Sequence, residues 1–145
     1  MIRPIQPEDA QALADICGSK LGHETSAEHI AERIAVLRDN DQYYLAVYED
    51  EDTQKVLGFI QAEKYDLLYG GSGWNVIALA AAAEAKGRGV GRKLLEALEQ
   101  TARGSGSTFI RLNCNVVRKD AHAFYEHMGY RCDKTQKRFI KKWPV

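Results

Sequence analysis

The sequence predicts a single α/β domain, because strand-type and helix-type segments alternate along its 145 residues. The length suits one compact domain with a hydrophobic core of its own. Hydrophobic residues make up 45% of the chain and charged residues 28%, which is typical of a globular protein. We therefore expect one layered domain over residues 1–145, with the element order β-α-α-β-β-β-α-β-α-β-β.

The N-terminal segment predicts one strand and two helices. Residues 1–5 alternate weakly between apolar and polar and predict a short strand, and a helix follows from about Pro7. The apolar residues of this helix recur at the spacing of one face: Ala10, Leu13, Ala14, Cys17 and Leu21. Thr25 and Glu28 match the S/T-x-x-E capping box, which predicts a second helix running to about Leu37.

The middle of the chain predicts a hairpin and one more strand. The aromatic segment QYYLAVYED (42–50) and the segment KVLGFIQAEKY (55–65) predict two strands joined by a polar turn. The sequence GGSG (70–73) predicts a loop. The segment WNVIALAAA (74–82) then predicts a further strand, although alanine by itself favours a helix.

The stretch IALAAAAEAKGRGVGRKLLE (77–96) combines residues that favour a helix with glycines that disfavour one. Alanine and leucine are the best helix formers, yet Gly87, Gly89 and Gly91 occupy alternate positions, and glycine is costly inside a helix. A strand that ends before the glycines, a turn, and then the helix RKLLEALEQTAR (92–103) resolve this conflict.

The turn formed by residues 87–91 is a candidate anion site. Glycines let another group approach the bare backbone, and the first N–H groups of a helix carry partial positive charge without an internal partner. Phosphate or pyrophosphate is the natural ligand of such a turn, and Arg88, Arg92 and Lys93 add charge. A tight turn with solvated basic residues explains the pattern equally well, and the spacing matches neither a P-loop nor a dinucleotide fingerprint.

The last third of the chain predicts a strand, a helix and two closing strands. The segment TFIRLNC (108–114) predicts the first strand. A short helix follows and ends at Gly129. One face of this helix is apolar: Ala121, Phe124, Tyr125 and Met128. The segments YRC (130–132) and KRFIKKW (137–143) predict the closing strands.

The charge balance and the cysteines narrow the function classes. Lys and Arg number 20, as do Asp and Glu, so neither nucleic acid nor a membrane is expected as a partner. The basic segment KTQKRFIKKW (134–143) is more typical of a strand with solvated charges. The missing signal region and the three dispersed cysteines predict a cytoplasmic protein. Cys114, His122, His127 and Cys132 match no common zinc spacing, and no metal is expected.

Three motifs together resemble the GNAT family of acetyl-CoA-dependent N-acetyltransferases. The segment KGRGVGRKLLEAL is similar to the family's pyrophosphate-binding motif Q/R-x-x-G-x-G/A, with Lys where Gln or Arg is usual. The defined positions of that motif are Lys86, Gly89 and Gly91. IRPIQPEDA resembles the family's first strand and helix, and AHAFYEHMGY its later helix-to-strand motif. The resemblance implies a mixed, mostly antiparallel twisted sheet flanked by helices. It also implies direct acetyl transfer from acetyl-CoA to a primary amine in a ternary complex.

The resemblance further implies where acetyl-CoA binds. Residues 76–81 match the family's fourth strand, which splays from the fifth, and the pantetheine arm lies in that gap. Ala80 and Ala81 leave room for the arm, and the N–H of Ala81 is a candidate donor to the thioester carbonyl. Arg118 either contacts the cofactor or caps its helix. The expected cofactor-binding residues are Leu79, Ala80, Ala81, Lys86, Gly87, Arg88, Gly89, Val90, Gly91, Arg92 and Arg118.

Tyr125 matches the position at which the family commonly has its catalytic acid. A phenol with a pKa near ~10 is protonated at neutral pH and can donate to the departing CoA thiolate. Alternatively, Tyr125 packs as one residue of the apolar face of its helix. Some relatives carry a basic Glu on strand four, but residues 73–76 hold no carboxylate here. The remaining candidates for the base are Glu24, Glu63, Asp66, His122 and ordered water.

The family builds its acceptor pocket from the first two helices and the loop between strands three and four. In this sequence those segments carry four candidate substrate-binding residues: His23, Glu24, Asp66 and Tyr69. Their polar and acidic character suits a cationic amine, such as a polyamine, an aminoglycoside or a peptide amine. A non-catalytic acyl-CoA binder or sensor is the rival function, and the oligomeric state is left open, a homodimer included.

Overall fold

The computed structural model describes residues 1–144, which divide along the chain into two compact units, the first ending at Asn113 and the second beginning at Cys114. The first unit contains five helices or helical turns and the five strands of one sheet. Its main elements are β1 (Ile2–Pro4), α1 (Ala10–Leu21), α2 (Ala27–Leu37), β2 (Tyr43–Glu49), β3 (Val56–Asp66), β4 (Ser72–Ala81), α3 (Val90–Gly104) and β5 (Phe109–Leu112). The second unit contains α4 (Lys119–His127). No described helix is long and apolar enough to cross a membrane.

The sheet has the strand order β1-β2-β3-β4-β5. The first three pairings are antiparallel, and β5 runs parallel to β4. A parallel partner requires a crossover connection, and α3 supplies it. The predicted mixed, mostly antiparallel sheet flanked by helices is therefore confirmed. That residues 1–145 form one functional domain stays a prediction.

One face of the sheet packs against α1 and α2. The shared core contains residues from both helices and from β2, β3 and β4: Leu13, Ile16, Ile34, Val47, Phe59 and Ala80, together with Ile5. The predicted apolar stripe of α1 lies largely in this layer, since Ala10, Leu13 and Ala14 are buried. Burial of this stripe is what holds the helix, because a 12-residue helix is marginal on its own.

Helix α3 packs on the opposite face through a continuous apolar stripe. Its buried residues recur at helical spacing: Val90, Leu94, Leu95, Leu98 and Ala102. Gly58 on β3 lies beneath the first turn of this helix. A Cβ atom there would lie 2.7 Å from Val90 Cγ1 and 2.9 Å from the Ala80 carbonyl oxygen. The missing side chain thus lets the start of α3 approach the end of β4.

Gly58→Ala is expected to destabilise the fold by about 1–3 kcal/mol, the usual cost of overpacking a core. The added methyl group meets a backbone oxygen that cannot rotate away. Gly104→Ala is the matched control, because a Cβ there has nothing within 4 Å. Urea unfolding of both variants checks this, and equal stabilities would contradict it.

The alanine-rich segment is a strand, as predicted. β4 extends from Ser72 to Ala81 and pairs with β3 along its length, from Asp66↔Ser72 to Gly58↔Ala81. A single 3-10 turn, Ala83–Ala85, separates it from the glycines. The strand begins earlier than expected, since Ser72 and Gly73 belong to it rather than to a loop.

The second helix starts differently from the prediction. The N-cap is Ser26, whose Oγ accepts a hydrogen bond from the His29 N–H at 3.0 Å. The predicted capping box of Thr25 and Glu28 is therefore wrong by one residue. An N-cap residue immediately precedes the first helical residue, here Ala27, and Thr25 lies one position too far back.

The two predicted closing strands are not formed. Residues 130–144 contain no strand, and every residue from 131 to 144 is exposed, including Phe139 at 89% and Trp143 at 72%. Alternation of apolar and polar residues predicts only which side chains face each side of a strand. A strand also needs a hydrogen-bonded neighbour, and within the described residues the sheet ends at β5.

Candidate functional site

β4 and β5 pair over only part of β4. Their register runs from Gly73↔Phe109 to Val76↔Leu112 and stops there. β4 continues to Ala81 with β3 on one side. Within the described residues no strand pairs with its other side over residues 77–81. The edge of β4 on the β5 side is therefore unpaired over residues 77–81, and we call this edge the gap.

One hydrogen bond fixes which backbone groups of β4 face this gap. The N–H of Ala82 donates to the Leu57 carbonyl oxygen at 2.8 Å, toward β3. Successive N–H groups of an extended strand point to opposite sides. Those of Leu79 and Ala81 therefore point away from β3, toward the gap. Ala80, between them, is buried and adds little bulk.

A β-bulge lies where the pairing with β5 ends. Gln61 pairs with Ala78 and Ala62 pairs with Val76, so Ile77 is an extra residue of β4. A bulge bends its strand and increases the local twist. This bend accounts for the end of the β4–β5 pairing at that level.

The glycine turn follows β4 after one 3-10 turn and opens α3. Gly87 and Gly89 have φ of 80° and 70°, in the left-handed region that favours glycine. Gly89 is the N-cap, and its carbonyl oxygen accepts from the Lys93 N–H at 3.0 Å. Within the described chain, no hydrogen-bond acceptor is assigned to four successive N–H groups, those of Gly89, Val90, Gly91 and Arg92. The helix start thus presents a set of unpaired donors, as an anion site requires.

Arg88 is bound by an acidic residue of the β2–β3 turn. Its Nη2 donates to Asp50 Oδ1 at 2.6 Å, and the Asp50 side chain is only 10% exposed. Asp50 Oδ2 also accepts from the hydroxyl and the N–H of Thr53. These bonds, first from Thr53 and then from Arg88, lower the pKa of Asp50 to about 2. The Arg88 guanidinium is thus held by Asp50, and the turn offers an anion its backbone.

The other basic side chains of the turn lie at the surface. Lys86 and Arg92 are exposed, and Arg92 Nε donates to Glu96 Oε1 at 2.8 Å, one helical turn away. Lys93 Nζ lies 5.4 Å from the centroid of the Tyr48 ring. An exposed pair such as Arg92–Glu96 is weak. Lys86 and Arg92 are therefore the basic side chains that can move toward an anion at low cost.

Asp50 is expected to make stability fall in acid. Its pKa is about 2 in the folded protein, against ~3.9 for Asp in an unfolded chain. Between these values the unfolded state binds more protons, so stability rises with pH. The contribution is complete above about pH 4 and is lost as the pH falls to about 2. Urea unfolding should show that the destabilisation by Asp50→Asn shrinks over this window. A constant difference would contradict the assignment.

Helix α4 carries the tyrosine predicted as a proton donor. Tyr125 is half-buried, with its ring edge-on to Phe124 and Tyr130 at centroid distances of 5.1 and 6.1 Å. Burial raises the pKa of Tyr125 above its ordinary value, Cys114 adds to the increase, and Arg118 opposes it. The phenol is therefore protonated at neutral pH. Packing in an aromatic cluster and availability as a donor coexist in this residue.

Arg118 occupies the N-cap position of α4, but its side chain makes no capping hydrogen bond. Its carbonyl oxygen accepts from the His122 N–H at 3.1 Å. The His122 ring is also engaged, with Nε2 at 2.8 Å from the Asn115 carbonyl oxygen. A shallow cavity of about 360 Å³ lies at this end of the helix, lined by residues 117–121. The predicted contact of Arg118 with a cofactor stays a prediction.

Comparison with known proteins agrees with this geometry. A model of the acetyltransferase (GNAT) family matches residues 9–130. The chain belongs to the GNAT acetyltransferase family. It is 29% identical over 114 residues to the uncharacterized N-acetyltransferase YhdJ of Bacillus subtilis (strain 168), covering 77% of this chain and 78% of that protein. The resemblance inferred from the three sequence motifs is thereby confirmed.

Solved structures share the fold of this acetyltransferase. A transcriptional regulator from Bacillus halodurans C-125 superposes with a TM-score of 0.85 at 18% identity, over 97% of this chain and 99% of that one. Glucosamine-6-phosphate N-acetyltransferase from Arabidopsis thaliana superposes with a TM-score of 0.83 at 18% identity, over 98% of each chain. At this identity the likeness concerns the fold alone.

The acceptor residues predicted for the acetyltransferase fall in two separate segments. His23 and Glu24 lie in the α1–α2 loop, and Glu24 lines an open groove of about 520 Å³ along α1. Asp66 ends β3, and Tyr69, in the following turn, is 89% exposed. No hydrogen bond or ion pair joins the two segments among the described residues. Their shared role in substrate binding stays a prediction.

A polar chain across the sheet of this acetyltransferase was missed by sequence reasoning. Asn75 on β4 donates to Glu63 on β3 and accepts from Arg111 on β5. The three residues are 12 and 36 positions apart, and only the strand register brings them side by side. Glu63 was one of several candidate bases, but no spacing signal linked it to Asn75. In the described residues no group of three or more acidic, His or Cys side chains is placed to hold a metal.

Proposed function

We propose that this protein transfers an acetyl group from acetyl-CoA to a primary amine, by direct attack in a ternary complex. The observation that carries the proposal is the succession of two donor sets, the first on β4 and the second at the start of the next helix, α3. The N–H groups of Leu79 and Ala81 that face the gap are followed, after one 3-10 turn and the glycine turn, by the unpaired N–H groups at the start of α3. A ligand with a thioester at one end and a pyrophosphate further along matches both sets.

The start of α3 suits the pyrophosphate of CoA. The N–H groups of residues 89–92 and the helix dipole attract an anion, and the glycines let it approach the backbone. Because Asp50 holds Arg88, the backbone carries most of this binding, and Lys86 and Arg92 add mobile charge. In this proposal Leu79, Ala80 and Ala81 contact the pantetheine arm, and Arg118 is an additional contact.

The chemistry requires one donor to the carbonyl and one to the leaving group. The N–H of Ala81 hydrogen-bonds the thioester carbonyl and stabilises the negative charge that develops as the amine attacks. The neutral amine forms the C–N bond, the C–S bond breaks, and Tyr125 gives its proton to the departing sulfur. The acylated nitrogen then loses one proton, which restores the Tyr125 hydroxyl directly or through water. Burial keeps the pKa of Tyr125 above its ordinary value, so the proton is available at neutral pH.

The acceptor is inferred to be cationic before it reacts. His23, Glu24, Asp66 and Tyr69 supply polar and acidic side chains in the two segments from which the family builds its acceptor pocket. A polyamine, an aminoglycoside, an amino sugar or a peptide amine fits this character. In this proposal residues 1–145 act as one cytoplasmic acetyltransferase domain without a metal.

An amine panel with acetyl-CoA tests the function. Purified protein is incubated with spermidine, kanamycin, glucosamine 6-phosphate or a peptide beginning with alanine, and released CoA thiol is measured continuously. Thiol release that requires an amine, with the acetylated amine found by mass spectrometry, supports the proposal. Tight calorimetric binding of acetyl-CoA without turnover of any amine would instead favour the non-catalytic binder or sensor.

A further inference from the structure

Glu63, Asn75 and Arg111 form one continuous hydrogen-bonded chain across three strands. Asn75 Nδ2 donates to Glu63 Oε2 at 2.8 Å, and Arg111 Nη1 donates to Asn75 Oδ1 at 2.5 Å. The residues are direct cross-strand neighbours, with Glu63 opposite Asn75 and Asn75 opposite Arg111. All three are half-buried, so these bonds are shielded from competing water.

Arg111 is itself held in place at the end of this chain. Its Nη2 donates to Asn113 Oδ1 at 2.8 Å, and its guanidinium lies 4.8 Å from the centroid of the Tyr65 ring. An arginine can only donate hydrogen bonds, so Asn75 must turn its amide oxygen toward Arg111 and its NH₂ group toward Glu63. These contacts therefore fix the direction of each hydrogen bond and hold one carboxylate oxygen of Glu63 in a hydrogen bond with Asn75.

The other carboxylate oxygen of Glu63 has no hydrogen-bond partner among residues 1–144. It is thus an acceptor ready for a ligand. Glu63 and Phe59 are four residues apart on β3 and share the sheet face that α1 and α2 cover at Phe59. This is the face whose helices and loops supply the predicted acceptor residues.

The position of Asn75 relates this series of hydrogen bonds to the proposed reaction. Asn75 is two residues before the bulge at Ile77, at the level where the gap between β4 and β5 begins. Strand four is where some members of the family carry a basic Glu, and here it offers only an amide. Glu63 supplies the missing carboxylate from the neighbouring strand, bonded to that amide.

We propose that Glu63 accepts the proton of the attacking amine, with Asn75 and Arg111 as positioning residues. The inference rests on the proposed acetyl transfer and names its proton acceptor. Glu63 takes one proton from the ammonium form of the acceptor, directly or through one water. The freed lone pair then forms the C–N bond, and the C–S bond breaks as Tyr125 gives its proton to the sulfur. The nitrogen passes its second proton, directly or through water, to the Tyr125 phenolate, and Glu63 returns its proton to solvent after product release.

The other candidate bases are placed less well. Glu24 lines the groove along α1, with its carboxylate beside Gly18. Asp66 is exposed at the end of β3, and among the described residues no hydrogen bond orients its carboxylate. The Nε2 of His122 is already bonded to the Asn115 carbonyl oxygen. Glu63 alone among the four is both half-buried and hydrogen-bonded to a β4 residue at the level where the gap begins.

Glu63→Gln is the central test, because it keeps the shape and removes the proton acceptor. With the fastest amine of the panel, kcat is expected to fall about 10²-fold or more, while calorimetric affinity for acetyl-CoA stays unchanged. Hydroxylamine, which is neutral at pH 7, needs no such acceptor, and its acetylation should change far less. Glu32→Gln, at an exposed position of α2, is the matched control.

A rescue variant distinguishes a role of Glu63 in proton transfer from a purely structural role. Glu63→Gln combined with Asn75→Glu places the carboxylate on strand four. The kcat of this double variant should be at least tenfold higher than the kcat of Glu63→Gln alone. Arg111→Met should lower kcat more than it raises KM, because it only loosens the orientation of Asn75. Full kcat in Glu63→Gln, or an equal loss with hydroxylamine, would overturn the role of Glu63. Absence of amine turnover by the unmodified protein would overturn the acetyl-transfer proposal itself.

Discussion

Replacing Tyr125 by Phe is expected to slow acetyl transfer by about 10² to 10⁴-fold, the usual worth of a general acid. The change removes one oxygen and keeps the ring that packs against Phe124 and Tyr130. Stability and acetyl-CoA affinity should therefore barely change. The loss should appear in kcat and in kcat/KM alike, because a proton donated only in the transition state stabilises nothing beforehand.

The leaving group provides the control for this variant. A thioester whose thiol is more acidic needs less help to depart, so the effect of Tyr125→Phe should shrink with such a substrate. Phe124→Leu, which alters the same aromatic cluster without touching the hydroxyl, should leave this sensitivity unchanged. If Tyr125→Phe retains full kcat where chemistry limits the rate, the residue serves only packing and another group supplies the proton.

Local sequence patterns predicted the elements whose signals are local. The stripe of α3 recurs at helical spacing, and Val90, Leu94, Leu95 and Leu98 are buried as that spacing requires. The glycine turn was recognisable because positive φ restricts a position to very few residues, and Gly87 and Gly89 adopt it. These features depend on neighbours along the chain, which a sequence displays directly.

The alanine run shows where local propensity fails. Residues 78–82 favour a helix, yet β4 forms because it pairs with β3 at nine positions and buries Ala80 against the α1 layer. A strand bordered by a gap also needs small side chains, and alanine is the smallest that keeps ordinary backbone preferences. Family resemblance predicted the strand correctly, whereas composition alone would have predicted a helix.

The remaining errors have one physical cause, which is that a sequence does not reveal its non-local partners. The segment KRFIKKW alternates as a strand should, but alternation supplies no backbone partner, and Phe139 and Ile140 are exposed. The Glu63–Asn75 bond was invisible for the same reason, since register places these residues side by side. Candidate sites that span several strands therefore require the fold before they can be found.

Gly89→Val is expected to weaken acetyl-CoA binding more than tenfold, which corresponds to about 1.4 kcal/mol. The φ of Gly89 is 70°, a conformation that a β-branched residue rarely adopts, so the turn must shift and its N–H groups lose their alignment. A bulky side chain also stands where the pyrophosphate approaches the backbone. Calorimetry with acetyl-CoA, under conditions in which circular dichroism shows a folded protein, measures the loss.

Gly106→Val is the matched control for this change. Gly106 has a φ of 76°, and a Cβ at either glycine has nothing within 4 Å, so both variants carry the same kind of backbone strain. Gly106 follows the C-terminal end of α3, while Gly89 opens its N-terminal end. Both variants should lose stability, but only Gly89→Val should lose affinity. Equal acetyl-CoA affinities in the two folded variants would show that the pyrophosphate binds elsewhere.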